Sequence, residues 1–223
     1  MIRLKLKYGV IVLFAVGMST HGFAQSQYYK DAMTKQLYAF KTAKGANDIL
    51  KTADGFVAIA LSEKKEWLAY YYAGLCNVLV AFDKNKTDVD SYCDKAENLT
   101  KKADSLNKNN SEISVLKSMI AAARIIVNEK SRALKYGSQS AKYANEAVKL
   151  NTDNPRAYFV KAQNIFHTPE VFGGGAKKAK LVLELALEKE KLFKPESSLH
   201  PDWAKKEIEK EIKIVNQSVL KKQ

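Results

Sequence analysis

Apolar residues recur at three- and four-residue spacings along most of this chain, the mark of helices that bury one face. Residues 27–43 set Ala32, Leu37, Phe40 and Ala43 on one side. After the break at Lys44-Gly45, a second helix, with Asn47 or Asp48 as its cap, does the same with Ala53, Val57, Ala60 and Leu61. Gly55 is a weak point of that helix, costing about 1 kcal/mol relative to alanine. From 66 to 82 the pattern changes: Trp67, Leu68, Tyr70, Tyr71, Tyr72, Leu75, Val78, Leu79, Val80 and Phe82 leave almost no polar side, which predicts a helix sandwiched between neighbours. Ser111 to Leu150 reads as another pair, the first helix filled by Met119, Ile120 and residues 125–127, with Gly137 as the expected break before the second. Asn154-Pro155 opens the next helix, since a proline in the first turn gives up an N–H that lacks a helical partner anyway. Gly173, Gly174 and Gly175 interrupt the chain, and Ala179, Leu183, Ala186 and Leu187 then make one more apolar face. A last helix starts at His200-Pro201-Asp202, with Trp203 as its anchor and Ile208, Ile212, Val215 and Val219 as its stripe.

The pattern is also periodic on a longer scale. Gly74, Ser118 and Ala162, all small, stand 44 residues apart in three first helices. In the second helices, the run from Ala103 through Leu106 and Asn107 to Asn110 lies without a gap on the run from Ala147 through Leu150 and Asn151 to Asn154, and Tyr92 falls on Tyr136. A fixed period between about 20 and 50 residues marks a solenoid, because one helix pair cannot bury its own apolar face and stacks on copies of itself. The expected fold is therefore an all-α solenoid of about four antiparallel helix pairs, at residues 27–64, 66–108, 111–152 and 155–190, with a capping helix over 201–220. That cap is expected to lie in part of the apolar groove or on the end face, because its stripe has no other partner.

A bulky residue followed four positions later by a small one (Tyr70 and Gly74, Tyr158 and Ala162), then Ala179, Leu183, Ala186 and Leu187 in their spacing, resembles the tetratricopeptide repeat (TPR). The usual TPR unit is about 34 residues, so these repeats carry extra length, and Lys108 and Thr152 stand where an inter-repeat proline is usual. Thr168-Pro169 followed by Phe172-Gly173-Gly174-Gly175 is similar to a variant found in exported bacterial TPR proteins. The resemblance covers roughly residues 45–220. It implies that first helices line a concave face made of Tyr71, Leu75 and Val78, then Val115, Met119 and Ala122, then Phe159, Gln163 and Phe166. The family's Lys/Asn clamp for a peptide carboxylate would need polar groups at Tyr71, Val115 or Phe159, so binding of that type is not expected.

Residues 1–24 read as a secretory signal peptide: Arg3, Lys5 and Lys7, an apolar run from Tyr8 to Met18, and a small-x-small site at Gly22-Phe23-Ala24. The remaining chain, 25–223, suits a single domain, exported and periplasmic or associated with the cell envelope. Loss of the three basic residues lowers the formal net charge from +13 to +10. An exported protein meets little nucleic acid, so the basic balance points to a Lys-rich solvated surface, or to weak contact with an anionic membrane surface or polysaccharide. Cys76 and Cys93 lie in the two helices of one pair. Export permits a disulfide between them, and separate packing of two small apolar thiols is the alternative.

No catalytic constellation stands out. The mature chain has only His167 and His200, both beside prolines, and no Cys–His, Ser–His–Asp or HExxH spacing. The alternating acids of 83–90 lack the glycine and terminal glutamate of a calcium loop. The glycines of 173–175 lack the preceding strand and the hydroxyl of a phosphate loop, so a tight interhelical turn is expected. No enzyme, metal or cofactor is expected. The leading expectation is an assembly scaffold that binds an envelope protein. The alternative is a carrier of a small apolar or lipidic ligand in the concave groove, at Tyr71, Leu75, Val78, Val115, Met119, Phe159, Gln163 and Phe166.

Overall fold

The computed structural model describes residues 26–83 and 88–221. The expected signal peptide and residues 84–87 of the acid-rich loop lie outside them. Among the described residues the chain is all α-helical: α1 (Gln27–Thr42), α2 (Ala46–Ser62), α3 (Trp67–Ala81), α4 (Val89–Leu106), α5 (Ser111–Ile125), α6 (Glu129–Leu150), α7 (Pro155–His167), α8 (Ala176–Leu192) and α9 (Ala204–Leu220), with one 3-10 turn at Glu170–Phe172. Consecutive helices pack as pairs, α3, α5 and α7 lie side by side, and α9 packs on α8 and reaches α7. This is an all-α helical-repeat fold.

Side-chain caps set where α4, α5, α6 and α7 start. The carboxylate or amide oxygens of Asp88, Asn110, Asn128 and Asn154 accept backbone N–H groups of the first turns of α4, α5, α6 and α7. Asn110 and Asn154 are one 44-residue period apart. Asn128 also corrects the break expected at Gly137. Its Oδ1 accepts the Ser131 N–H at 3.1 Å and starts α6 at Glu129, so Gly137 lies in the helix interior. An isolated glycine weakens a helix by about 1 kcal/mol but does not end one that packing and a cap support.

The periodic small residues sit where helices touch. A Cβ on Gly74 would stand 3.1 Å from Leu116 Cδ2 on α5 and 3.2 Å from Thr100 Oγ1 on α4, so α3 approaches two neighbours at this point. One period on, Ser118 donates to the Ser140 carbonyl on α6 at 2.9 Å and accepts from Asn164 Nδ2 on α7 at 3.3 Å. Ala162, one period further, is fully buried. Gly55 has a positive role that sequence reading missed. A side chain there would collide with Gln36 of α1, and the glycine lets the Gln36 amide donate to the Thr52 carbonyl at 2.9 Å. Arg124 and Arg132 are paired rather than solvated. Arg124 meets Asp94 at 2.7 Å and Glu97 at 2.8 Å, and Arg132 grips Asp90 with two bonds of 2.7 and 2.9 Å, tying α5 and α6 to α4.

Candidate functional site

The surface expected to bind is mostly closed. Tyr71, Leu75, Val78 and Val115 are fully or almost fully buried, and Met119 and Phe159 retain only 8% and 5% exposure. Gln163 and Phe166, near the end of α7, are half-buried, as is Ala122. The correction has two causes. These side chains pack between neighbouring first helices, as a three-residue pitch of large apolar groups requires. The chain then covers part of the same face itself.

The cover is the strap of residues 193–203 between α8 and α9. The Tyr72 phenol donates to the Leu199 carbonyl at 3.1 Å, and the Trp203 indole N–H donates to the Tyr71 oxygen, also at 3.1 Å. Trp203 stands edge-on to Phe159 with centroids 6.4 Å apart, and His200 stands edge-on to Trp67 at 5.9 Å. Lys41 on α1 meets Asp202 at 2.8 Å. Leu199 and Pro201 are buried. In α9 itself, Ala204, Ile208 and Val215 are fully buried.

Under the strap lies a polar core that sequence reading missed. Arg156, fully buried, donates through Nε to both carboxylate oxygens of Glu112 (3.0 and 2.8 Å) and through Nη2 to Oε1 (2.7 Å). Asn154 Nδ2 adds a 2.7 Å bond to the same oxygen, and the Phe193 ring lies 4.4 Å from the guanidinium. Burial pushes the Tyr71 phenol well above its usual range, with the Glu112 charge adding to the effect, so it stays neutral and donates towards Glu112 at 3.4 Å. Glu190 has a buried Oε2 without a hydrogen-bond partner among the described residues. Burial raises its pKa, against the pull of Arg156 and Lys205. Glu112 and Arg156 are 44 residues apart, and that period is the signal that pairs them.

Exposed apolar side chains occur on several helices, and one set of them is at one edge. First helices of antiparallel pairs run parallel, so the C-terminal ends of α3, α5 and α7 and the loops after them share that edge. Phe82, Ile126 and Val127 are exposed there. Leu134 on the first turns of α6 is 89% exposed, Val171 86% and Phe172 79%. Contiguous exposed apolar patches mark binding surfaces, whereas apolar groups exposed singly do not. The glycine turn presents Val171 and Phe172. Gly173 and Gly175 take φ of 86° and 101°, where a side chain is strained. Gly174 donates to the Pro169 carbonyl at 3.1 Å, and Gly175 to the Ile165 carbonyl at 2.9 Å. Those amides point at protein carbonyls, as a tight turn requires and a phosphate cradle does not. His167, the last residue of α7, is exposed and touches the Phe166 ring at a centroid distance of 5.2 Å. Lys177 and Lys178 are exposed on the first turn of α8.

The other features are chemically quiet. Cys76 and Cys93 are free and buried, so they are not paired. Burial pushes their thiols up to about 12 and about 11. A 360 Å³ cleft at the opposite ends of α4 and α5 is polar, its Lys101 and Lys117 already held by Glu97 and Asp104.

The chain is similar to a solved structure, the HusA haemophore from Porphyromonas gingivalis. The two share 31% sequence identity over 87% of this chain and 96% of that one, with a TM-score of 0.79. No protein-family model and no curated protein matches the chain.

Proposed function

The chain belongs to the family of the HusA haemophore, and on that premise we propose that it is an exported carrier of haem or a related flat tetrapyrrole. One observation carries the reading: likeness to a haemophore in sequence and fold across nearly the whole of that protein. The apolar edge supports it, since Phe172, Val171, Ile126 and Val127 offer area to a flat ring, and Lys177 and Lys178 suit carboxylate side groups. The scaffold expectation rested on the repeat resemblance alone, and the likeness to a haemophore favours the carrier alternative over it. On this reading the repeats are a lengthened TPR variant, and the role asks for binding without turnover. Export follows from the signal-peptide reading of residues 1–24; among the described residues no helix is long and apolar enough to cross a membrane.

The test is an absorbance and tryptophan-fluorescence titration of protein beginning at Gln25 with ferric haem. Saturation near one haem per chain is the expected result. A linear, unsaturable response matching haem added to buffer would overturn the proposal.

A further inference from the structure

We propose that the polar cleft where α4, α5 and α6 meet binds a sugar ring bearing a carboxylate, apart from the apolar edge. The inference goes beyond the carrier reading and does not rest on it. The repeat register shows how the cleft arises. Tyr70, Ser114 and Tyr158 stand 44 residues apart. Tyr158 packs against the core and donates its phenol to the Thr152 carbonyl at 3.1 Å. One period earlier those two positions hold Ser114 and Lys108, and both line the 360 Å³ cleft. A buried serine, where the neighbouring repeats carry a tyrosine, leaves the space open.

The walls hold hydrogen-bonding groups that the fold does not use. Asn110 Oδ1 accepts the Glu112 and Ile113 N–H groups at 2.8 and 3.3 Å, while its Nδ2 has no partner among the described residues. Asn154, its register equivalent, gives that amide to Ser111 Oγ and Glu112 Oε1 at 2.9 and 2.7 Å. One period upstream of Ser111 and Glu112 stand Trp67 and Leu68, whose side chains accept no hydrogen bond. Asp104 Oδ1 meets Lys117 at 3.0 Å and Glu146 Oε1 accepts the Ser114 hydroxyl at 3.3 Å, so each carboxylate keeps a second oxygen. Lys108 is exposed and unpaired among the described residues. Asn109 takes φ of 56°, a left-handed conformation that asparagine tolerates, and turns the chain so that Lys108 and Asn110 both line the cleft. Donors and carboxylate acceptors together select a ligand whose groups both give and take hydrogen bonds, as sugar hydroxyls do. A sulfate ion only accepts, and it would meet Asp104 and Glu146 with like charge. An apolar ligand finds no apolar side chain in the lining. Lys108 suits a carboxylate on the ring. The volume lies at the small end of ligand pockets, about 300–1,000 Å³, which fits a ring rather than a chain.

The experiment titrates nitrogen-15-labelled protein beginning at Gln25 with D-glucuronate, D-glucose and acetate, and follows the amide resonances. Wild type, Lys108→Ala and Ser114→Tyr are compared, and thermal melts confirm folding. The expected result is a saturable shift of the Lys108, Asn110 and Ser114 amides with glucuronate, a weaker one with glucose and none with acetate. Lys108→Ala should bind glucuronate about threefold more weakly and glucose as before. Ser114→Tyr restores the ring that the other repeats carry and should abolish both. No saturable shift in wild type overturns the proposal, and so does acetate matching glucuronate, since the lysines would then attract any anion. An unchanged preference for glucuronate in Lys108→Ala, or wild-type binding in folded Ser114→Tyr, also overturns it; Lys108→Ala decides alone if Ser114→Tyr fails to fold. Ferric haem should titrate Lys108→Ala as it does wild type, because the apolar edge is at the other ends of these helices. Loss of haem binding there would make the cleft part of the haem site and overturn the proposal, whereas wild type that takes up sugar and no haem would overturn the carrier reading alone.

Discussion

Replacing Gly74 and Gly137 separately by alanine tests whether the 44-residue period marks close helix contacts. Both glycines are inside helices, α3 and α6, so each substitution gains about 1 kcal/mol of helix propensity. Their surroundings differ. On Gly137 the nearest atom to a new Cβ is Ile125 Cδ1 at 4.0 Å, an ordinary contact, and Gly137→Ala should stabilise by about 0.5–1 kcal/mol. On Gly74 the new methyl meets Leu116 at 3.1 Å, Thr100 Oγ1 at 3.2 Å and the Ala96 carbonyl at 3.4 Å. Leu116 is fully buried, and Thr100 Oγ1 is tethered by donating to that carbonyl at 2.6 Å, so neither has room to retreat. Overpacking of this kind costs about 1–3 kcal/mol, which outweighs the propensity gain and leaves a net loss of about 0–2 kcal/mol. Urea unfolding followed by circular dichroism reads both as shifts in midpoint at constant slope. If Gly74→Ala is stabilised as much as Gly137→Ala, small residues at this register are not there for close approach.

Two further outcomes follow from the strap and the buried acid. Truncation after Pro195 removes Leu199, Trp203, Ile208 and Val215 from their burial. At about 1.5–3 kcal/mol each, the loss is roughly 6–12 kcal/mol before chain entropy is set against it, so the melting temperature should fall sharply and hydrophobic dye should bind; an unchanged melt without dye binding would make α9 a free arm. Burial raises the Glu190 pKa, so its charge is a penalty in the folded state at neutral pH, and that penalty disappears as pH falls through the ordinary carboxylate range; Glu190→Gln should therefore melt higher than wild type at neutral pH and level with it near about pH 4, and equal melts at both would refute the buried-charge account.

Short-range pattern carried most of the fold. Helix faces came from three- and four-residue spacing, and the stacking came from Gly74, Ser118 and Ala162, since one register in every repeat has to meet the same neighbours. Gly137 misled because a glycine signals a break only where no cap or packing overrides it, and Asn128 had already started the helix. The Glu112–Arg156 pair was accessible in principle. Residues one period apart in adjacent first helices stand side by side, and opposite charges there are a pairing signal even without an apolar stripe. The strap was not legible. Residues 193–203 have no periodicity, and their bonds span 127 residues from Tyr72 to Leu199 and 161 from Lys41 to Asp202. Only the cap's unpartnered stripe hinted that something had to cover the first helices. For the same reason the concave-face residues were placed on an open surface when most of them are core.

That closure bears directly on where a ligand sits. The aromatic groups best suited to stack on a flat ring, Tyr71, Tyr72, Phe159 and Trp203, already satisfy one another: Phe56 stacks on Tyr72 at 5.1 Å, Tyr71 and Tyr72 meet edge-to-face at 5.2 Å, and Trp203 bonds to Tyr71. A ligand entering there would first lift the strap. Lifting it would expose Leu199 and the Trp203 ring and break the Tyr72 and Tyr71 bonds, at about 1.5–3 kcal/mol per apolar side chain and about 1 per bond. A carrier binding at about 1 nM has about 12 kcal/mol of affinity in all, so this route would consume roughly half of it. The edge at Phe172, Val171, Ile126 and Val127 asks for no such rearrangement. Its apolar area is exposed in the free protein, so covering it with a ring is favourable from the first contact. On the proposed carrier role, the cost of lifting the strap off Tyr71 and Tyr72 therefore favours the exposed edge at the ends of the first helices as the place for a flat apolar ligand.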